Sequence, residues 1–124
     1  MEQRKFLSQL KGQQAEQRAY EFLQQQGLEL ICRNFSCRGG ELDLVMSQAD
    51  MLVFVEVRYR QHSTFGGAAA SVTTRKQQKM IVAARYFLHT HPQFAHYGAR
   101  FDVVAFDNTL QNLPSWLPAA FLAY

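Results

Sequence analysis

A chain of 124 residues with 48% hydrophobic side chains can bury one core and is too short for two ordinary domains, so a single domain over 1–124 is expected. Thirteen Lys and Arg against ten Asp and Glu leave a formal charge of +3, an excess compatible with a polyanionic partner but too small to specify one. No apolar run reaches the roughly 18 residues of a membrane span, and the first eleven residues lack the apolar stretch of a secretory signal, so a cytoplasmic protein with Cys32 and Cys37 as reduced thiols is expected.

Phe6, Leu10, Ala15, Ala19, Phe22 and Leu23 recur at helical spacing and Gly27 is placed to stop the run, which predicts a first helix over 6–26. Segments 28–35, 41–46 and 51–59 read as three strands. Gly39-Gly40 separates the first pair, and a tight turn at Ala49-Asp50 the second. A small-residue loop from Phe65 to Ala70 leads into a second helix over 75–89, with Met80, Ala83, Ala84, Phe87 and Leu88 inward and Thr74 with Gln77 at capping-box spacing. Segment 100–106 reads as a fourth strand, and 116–124 as an apolar tail docked on the core. The order α-β-β-β-α-β predicts an α/β or α+β fold with a central mixed sheet. His62, His89, His91 and His96 lie too far from the two cysteines for finger-type zinc spacing.

The informative feature is acid inside apolar strands. Side chains alternate along a strand, so Glu41 and Asp43 share one face and Leu42 and Leu44 the other. Glu56 and Arg58 likewise oppose Val53, Val55, Val57 and Tyr59. Convergence depends on the hairpin register. An even loop, with Gln48 paired to Met51, sets Asp43 opposite Glu56 and Glu41 opposite Arg58. An odd loop without a bulge sends Asp43 and Glu56 to opposite faces. Close carboxylates repel, and desolvating each one is costly unless a cation compensates. Mg²⁺ takes one or two carboxylates and keeps waters or substrate phosphate; Asp43, Glu56 and the backbone carbonyl of Val57 can supply such a partial shell. The plainer alternative pairs Glu41 with Arg58 and leaves Asp43 and Glu56 at a wet sheet margin.

These residues carry a resemblance. Gly40-Glu41-Leu42-Asp43-Leu44-Val45 followed by Val53-Phe54-Val55-Glu56-Val57-Arg58 closely resembles the YraN-like family of uncharacterised bacterial proteins. The match extends to Ala15-Glu16, Arg33-Asn34-Phe35, Phe65-Gly66, Lys76, Arg100-Phe101-Asp102-Val103-Val104 and Ala120-Phe121. The family looks like the Holliday-junction-resolvase branch of PD-(D/E)XK nucleases. The resemblance therefore implies a restriction-endonuclease-like core, Mg²⁺ or Mn²⁺ as cofactor, DNA as partner, and Glu16, Asp43, Glu56 and Arg58 as catalytic positions. Arginine stands at 58 where the pattern has lysine. Lys76, one helical turn before inward-facing Met80, is expected as its stand-in. Arg75, Lys76 and Lys79 at the opening of the second helix are the expected phosphate contacts, with Arg33, Arg38 and Arg60 secondary. A homodimer follows only by analogy with resolvases. The rival readings are a non-catalytic DNA- or RNA-binding module that keeps the nuclease fold, and a protein-interaction domain.

Overall fold

The computed structural model describes residues 2–61 and 67–123, so His62 and the Phe65-Gly66 part of the small-residue loop lie outside the described residues. Within these, α1 spans Glu2–Gln25, β1 Glu29–Cys37, β2 Gly40–Gln48, β3 Met51–Arg60, α2 Thr74–Thr90, β4 Gly98–Asp107 and β5 Ser115–Phe121. The strands lie in the order β1-β2-β3-β4-β5. All neighbours are antiparallel except β3 and β4, whose parallel pairing requires the crossover that α2 provides. The α/β fold with a central mixed sheet is thus present, with one strand more than the sequence reading: segment 116–124 is largely edge strand β5, not a docked tail.

Each helix covers one face. Ala15, Ala19 and Leu23 of α1 pack on Leu44, Met46, Val53, Val55, Val104 and Phe106. Met80, Ile81, Ala83, Ala84 and Phe87 of α2 pack on Leu42, Val45, Leu52, Phe54 and Phe101. Each large side chain buried this way contributes roughly 1.5–3 kcal/mol. Gly27, at a φ of 95°, ends α1 as expected. The other end departs from expectation: α1 begins near residue 2, and Phe6 and Leu10, counted in the apolar spacing, are 62% and 39% exposed. Residues 3–14 of α1 are exposed throughout, and the buried stripe of the helix starts at Ala15. The cap of α2 is also shifted. Thr73, not Thr74, accepts the Lys76 backbone N–H at 3.2 Å, and the Gln77 side chain donates to the Val72 carbonyl at 3.3 Å instead of closing a capping box.

The β2–β3 hairpin has the even register, Gln48 opposite Met51, around Ala49 at a φ of 52°. Strand alternation nevertheless fails at one place. Leu44 lies in the α1 core and Leu42 in the α2 core, so the two do not share a face as read from the sequence. Their partners on β1, Arg33 and Phe35, flank Asn34, whose φ of 52° turns the strand over. Asparagine is among the few side chains that tolerate this conformation. Asp43 sits at the reversal.

Candidate functional site

The β2–β3 ladder runs from Gln48↔Met51 to Leu44↔Val55, whereas β3 continues beside β4 as far as Arg60. The two antiparallel strands part at this point, and Asp43 occupies the fork, its Oδ2 accepting the Val57 N–H at 2.8 Å. Glu56, next along the register, is only 1% exposed. Its Oε2 lies 3.4 Å from Arg58 Nη1 and 3.6 Å from Lys76 Nζ, while Oε1 is buried without a hydrogen-bond partner. Arg58 is held from its other side by Ser71, whose Oγ accepts from Nε at 2.8 Å.

Lys76 reaches this fork from α2 because Gly40 lets the helix lie directly on the start of β2. A Cβ at position 40 would collide with the Lys79 carbonyl and meet Ala83 N at 3.0 Å. The ammonium bridges Glu56 and Glu41, the latter at 3.3 Å. Glu41 therefore pairs with Lys76 and not with Arg58, the partner expected from the strand register. Glu16 approaches from α1 on the opposite side.

Electrostatics mark the same group. Burial first, and the neighbouring Asp43 carboxylate next, push Glu56 up to about 8 despite Lys76 and Arg58. Burial likewise raises Asp43, against the pull of the Val57 N–H, of a hydrogen bond from the Glu56 carboxyl and of Lys76. Glu16 rises to about 7 through burial and then Asp43, with Arg33 and Asn34 opposing. Burial alone would lower Lys76, but Glu56, Asp43 and Glu41 outweigh it and hold the ammonium charged. The fork is thus short of positive charge even with Lys76 in place.

That deficit fits a hard divalent ion. Asp43 and the unpartnered oxygen of Glu56 are the available donors, and an ion that keeps most of its water asks for little more. Among the described residues no group of three His, Cys, Asp or Glu side chains is arranged to hold a metal, so the protein's share would be this carboxylate pair with a backbone oxygen.

Asp43, Glu56, Val57, Arg58, Glu16 and Lys76 all line one open groove of about 1170 Å³. Arg75 and Lys79, the other cations expected at the helix opening, are exposed and do not line it. The sequence reading overlooked Arg4 and Lys11, which line it from the amino-terminal half of α1. It also gave no role to Asp102, fully buried on β4, which receives Arg100 Nε at 3.1 Å, Trp116 Nε1 at 2.9 Å and the Ala119 N–H at 3.0 Å. Acid flanked by Val and Phe was the available signal for Asp102, as it was for Glu56.

A family model described as an uncharacterised protein family, UPF0102, matches residues 15–106. A UPF0102 protein of Pseudomonas putida strain GB-1 is 54% identical over 112 residues, covering 89% of this chain and 91% of the relative. One from Aeromonas hydrophila is 50% identical over 112 residues, covering 90% and 84% respectively. A third, from Stutzerimonas stutzeri, is 56% identical over 115 residues and covers 92% of this chain and 96% of its own.

Proposed function

The chain belongs to the uncharacterised protein family UPF0102, and from that premise we propose that it binds nucleic acid, DNA in the first instance, and cleaves it at a Mg²⁺- or Mn²⁺-dependent endonuclease site. One observation carries this reading: two adjoining buried carboxylates, Asp43 and Glu56, stand at the floor of an open groove with one oxygen unpartnered and a lysine alongside. Most buried carboxylate oxygens in folded proteins have a hydrogen-bond partner, so one that no N–H or hydroxyl reaches, beside a groove, supports a ligand there.

Asp43, Glu56 and the Val57 carbonyl would hold the ion. When bound, it supplies Lewis acidity towards the scissile phosphate and towards a water. The chain's own residues do the rest. Lys76, held charged by the surrounding carboxylates, presents an ammonium to phosphate oxygens as charge develops on them. Arg58, permanently protonated, contributes charge but cannot serve as a base. Its Ser71 hydrogen bond fixes its direction. Glu16, pushed up to about 7, can hold or release a proton near neutral pH from the α1 side.

Incubation with branched, flapped and linear DNA, with Mg²⁺ or Mn²⁺ and with chelator, tests the proposal. Metal-dependent cleavage lost in both Asp43→Asn and Glu56→Gln supports it, and intact cleavage in either removes that residue. A second reading, a non-catalytic DNA- or RNA-binding module, is favoured by the ion pair Lys76 already makes with Glu56. Salt-sensitive binding without cleavage under any metal would select it.

A further inference from the structure

The inward face of α1 changes character along its length. In the second half it is Ala15, Ala19 and Leu23, all buried against the sheet. One, two and three turns earlier, at the same helical spacing, it is Gly12 and Lys11, then Ser8, then Arg4, which line the groove. The change from apolar to basic falls where the helix leaves its buried contacts, and it sets Arg4 and Lys11 in the same groove as the carboxylates. Beside the cations, the same wall presents Leu7 and Leu10, 58% and 39% exposed, and faces Tyr59, over whose ring Lys11 Nζ sits at 6.0 Å.

Cations and exposed apolar side chains in one groove select among nucleic-acid forms. A duplex turns its phosphates outward and hides its base faces, leaving Leu7, Leu10 and Tyr59 without partners. An unpaired strand offers phosphates and base faces together. We propose that the amino-terminal half of α1 is a clamp for an unpaired nucleic-acid strand, with Arg4 and Lys11 on its phosphates and Leu7, Leu10 and Tyr59 against its bases, laying the strand over Asp43 and Glu56. This rests on the nucleic-acid reading of the groove and names the substrate form that reading leaves open.

Fluorescence anisotropy of labelled oligothymidylate, and of a duplex of equal length, is measured against salt with Ca²⁺ as the divalent ion. The comparison includes the wild type, Arg4→Gln/Lys11→Gln and the charge-matched Arg75→Gln/Lys79→Gln. Circular dichroism checks that both variants fold. Each phosphate contact to a single strand contributes about 0.7 to the slope of log affinity against log salt, so the α1 variant should lose about 1.4 and the comparator clearly less. The wild type should prefer the single strand. An unchanged slope in the α1 variant, or equal losses in the two variants, overturns the clamp. Equal affinity for duplex overturns the unpaired-strand assignment. A wild type that binds neither probe overturns the nucleic-acid reading itself.

Discussion

Burial leaves the Glu56 carboxyl two ways to become neutral, a proton or a cation. In metal-free protein it takes the proton: its value of about 8 stands above the ordinary 4.5, so between those limits the folded chain holds a proton that the unfolded chain has released. The resulting stabilisation is fully present below about pH 4.5 and is lost as pH rises through the folded value. Glu16 adds in the same direction up to about 7. The thermal midpoint in chelator should therefore fall from about pH 5 to about pH 8.5, and Glu56→Gln should flatten the curve. A midpoint that climbs over that window would contradict the assignment. Position 58 allows a second expectation. Lysine there would offer a titratable ammonium from β3, so Arg58→Lys should raise the cleavage rate. Lys76→Ala should lower it by on the order of 10²-fold, and Lys79→Ala much less. Comparison on one branched substrate at matched metal and salt decides this, and equal rates for the two alanine variants would dismiss Lys76. The proximity of Lys76 to the acids was legible from its spacing to Met80. The partner of Glu41 was not, because strand register says nothing of what a helix brings down from above.

At the scale of elements, the hairpin was the most legible part. Loop parity fixes the faces of the side chains along the paired ladder, Leu44 to Gln48 and Met51 to Val55, and the turn at Ala49-Asp50 has the even register. The reversal at Asn34 and Asp43 escaped the reading because period-two alternation assumes a regular strand, and one left-handed residue cancels it. The exposed half of α1 escaped for a different reason: helical spacing identifies an apolar stripe, but not how much of that stripe finds a partner. Strand β5 was hidden by Pro118, which a strand pattern does not anticipate away from an edge. The contact of α2 with Gly40 yields the prediction at this scale. Gly40→Ala forces the helix outward, costs about 1–3 kcal/mol of the kind seen on overpacking, and draws Lys76 away from Glu56. Denaturant unfolding should register the loss, and cleavage should fall further than the stability change explains. Full activity would mean that α2 can shift without moving the ammonium.

Across the whole molecule, charge is segregated: a chain of net +3 gathers Glu16, Glu41, Asp43 and Glu56 in one groove and sets cations on its walls. On the proposed function, such a distribution would draw a polyanion to the rim and leave the floor to a small cation. The opposite side of the sheet faces a different hazard. Strand β5 is a margin of the sheet, and a margin with vacant backbone donors invites another copy of the chain to add its own strand. Here Pro118 has no N–H, while its neighbour Ala119, kinked at a φ of 50°, turns its N–H inward to Asp102. The buried carboxylate thus keeps one edge donor turned away from any second chain. Asp102→Ala frees Trp116 and Ala119 together, so the variant should form concentration-dependent, sheet-rich aggregates below its unfolding temperature. Light scattering followed alongside circular dichroism would detect them, and a variant that stays monodisperse up to unfolding would show that Pro118 alone is enough to keep one molecule from templating the next.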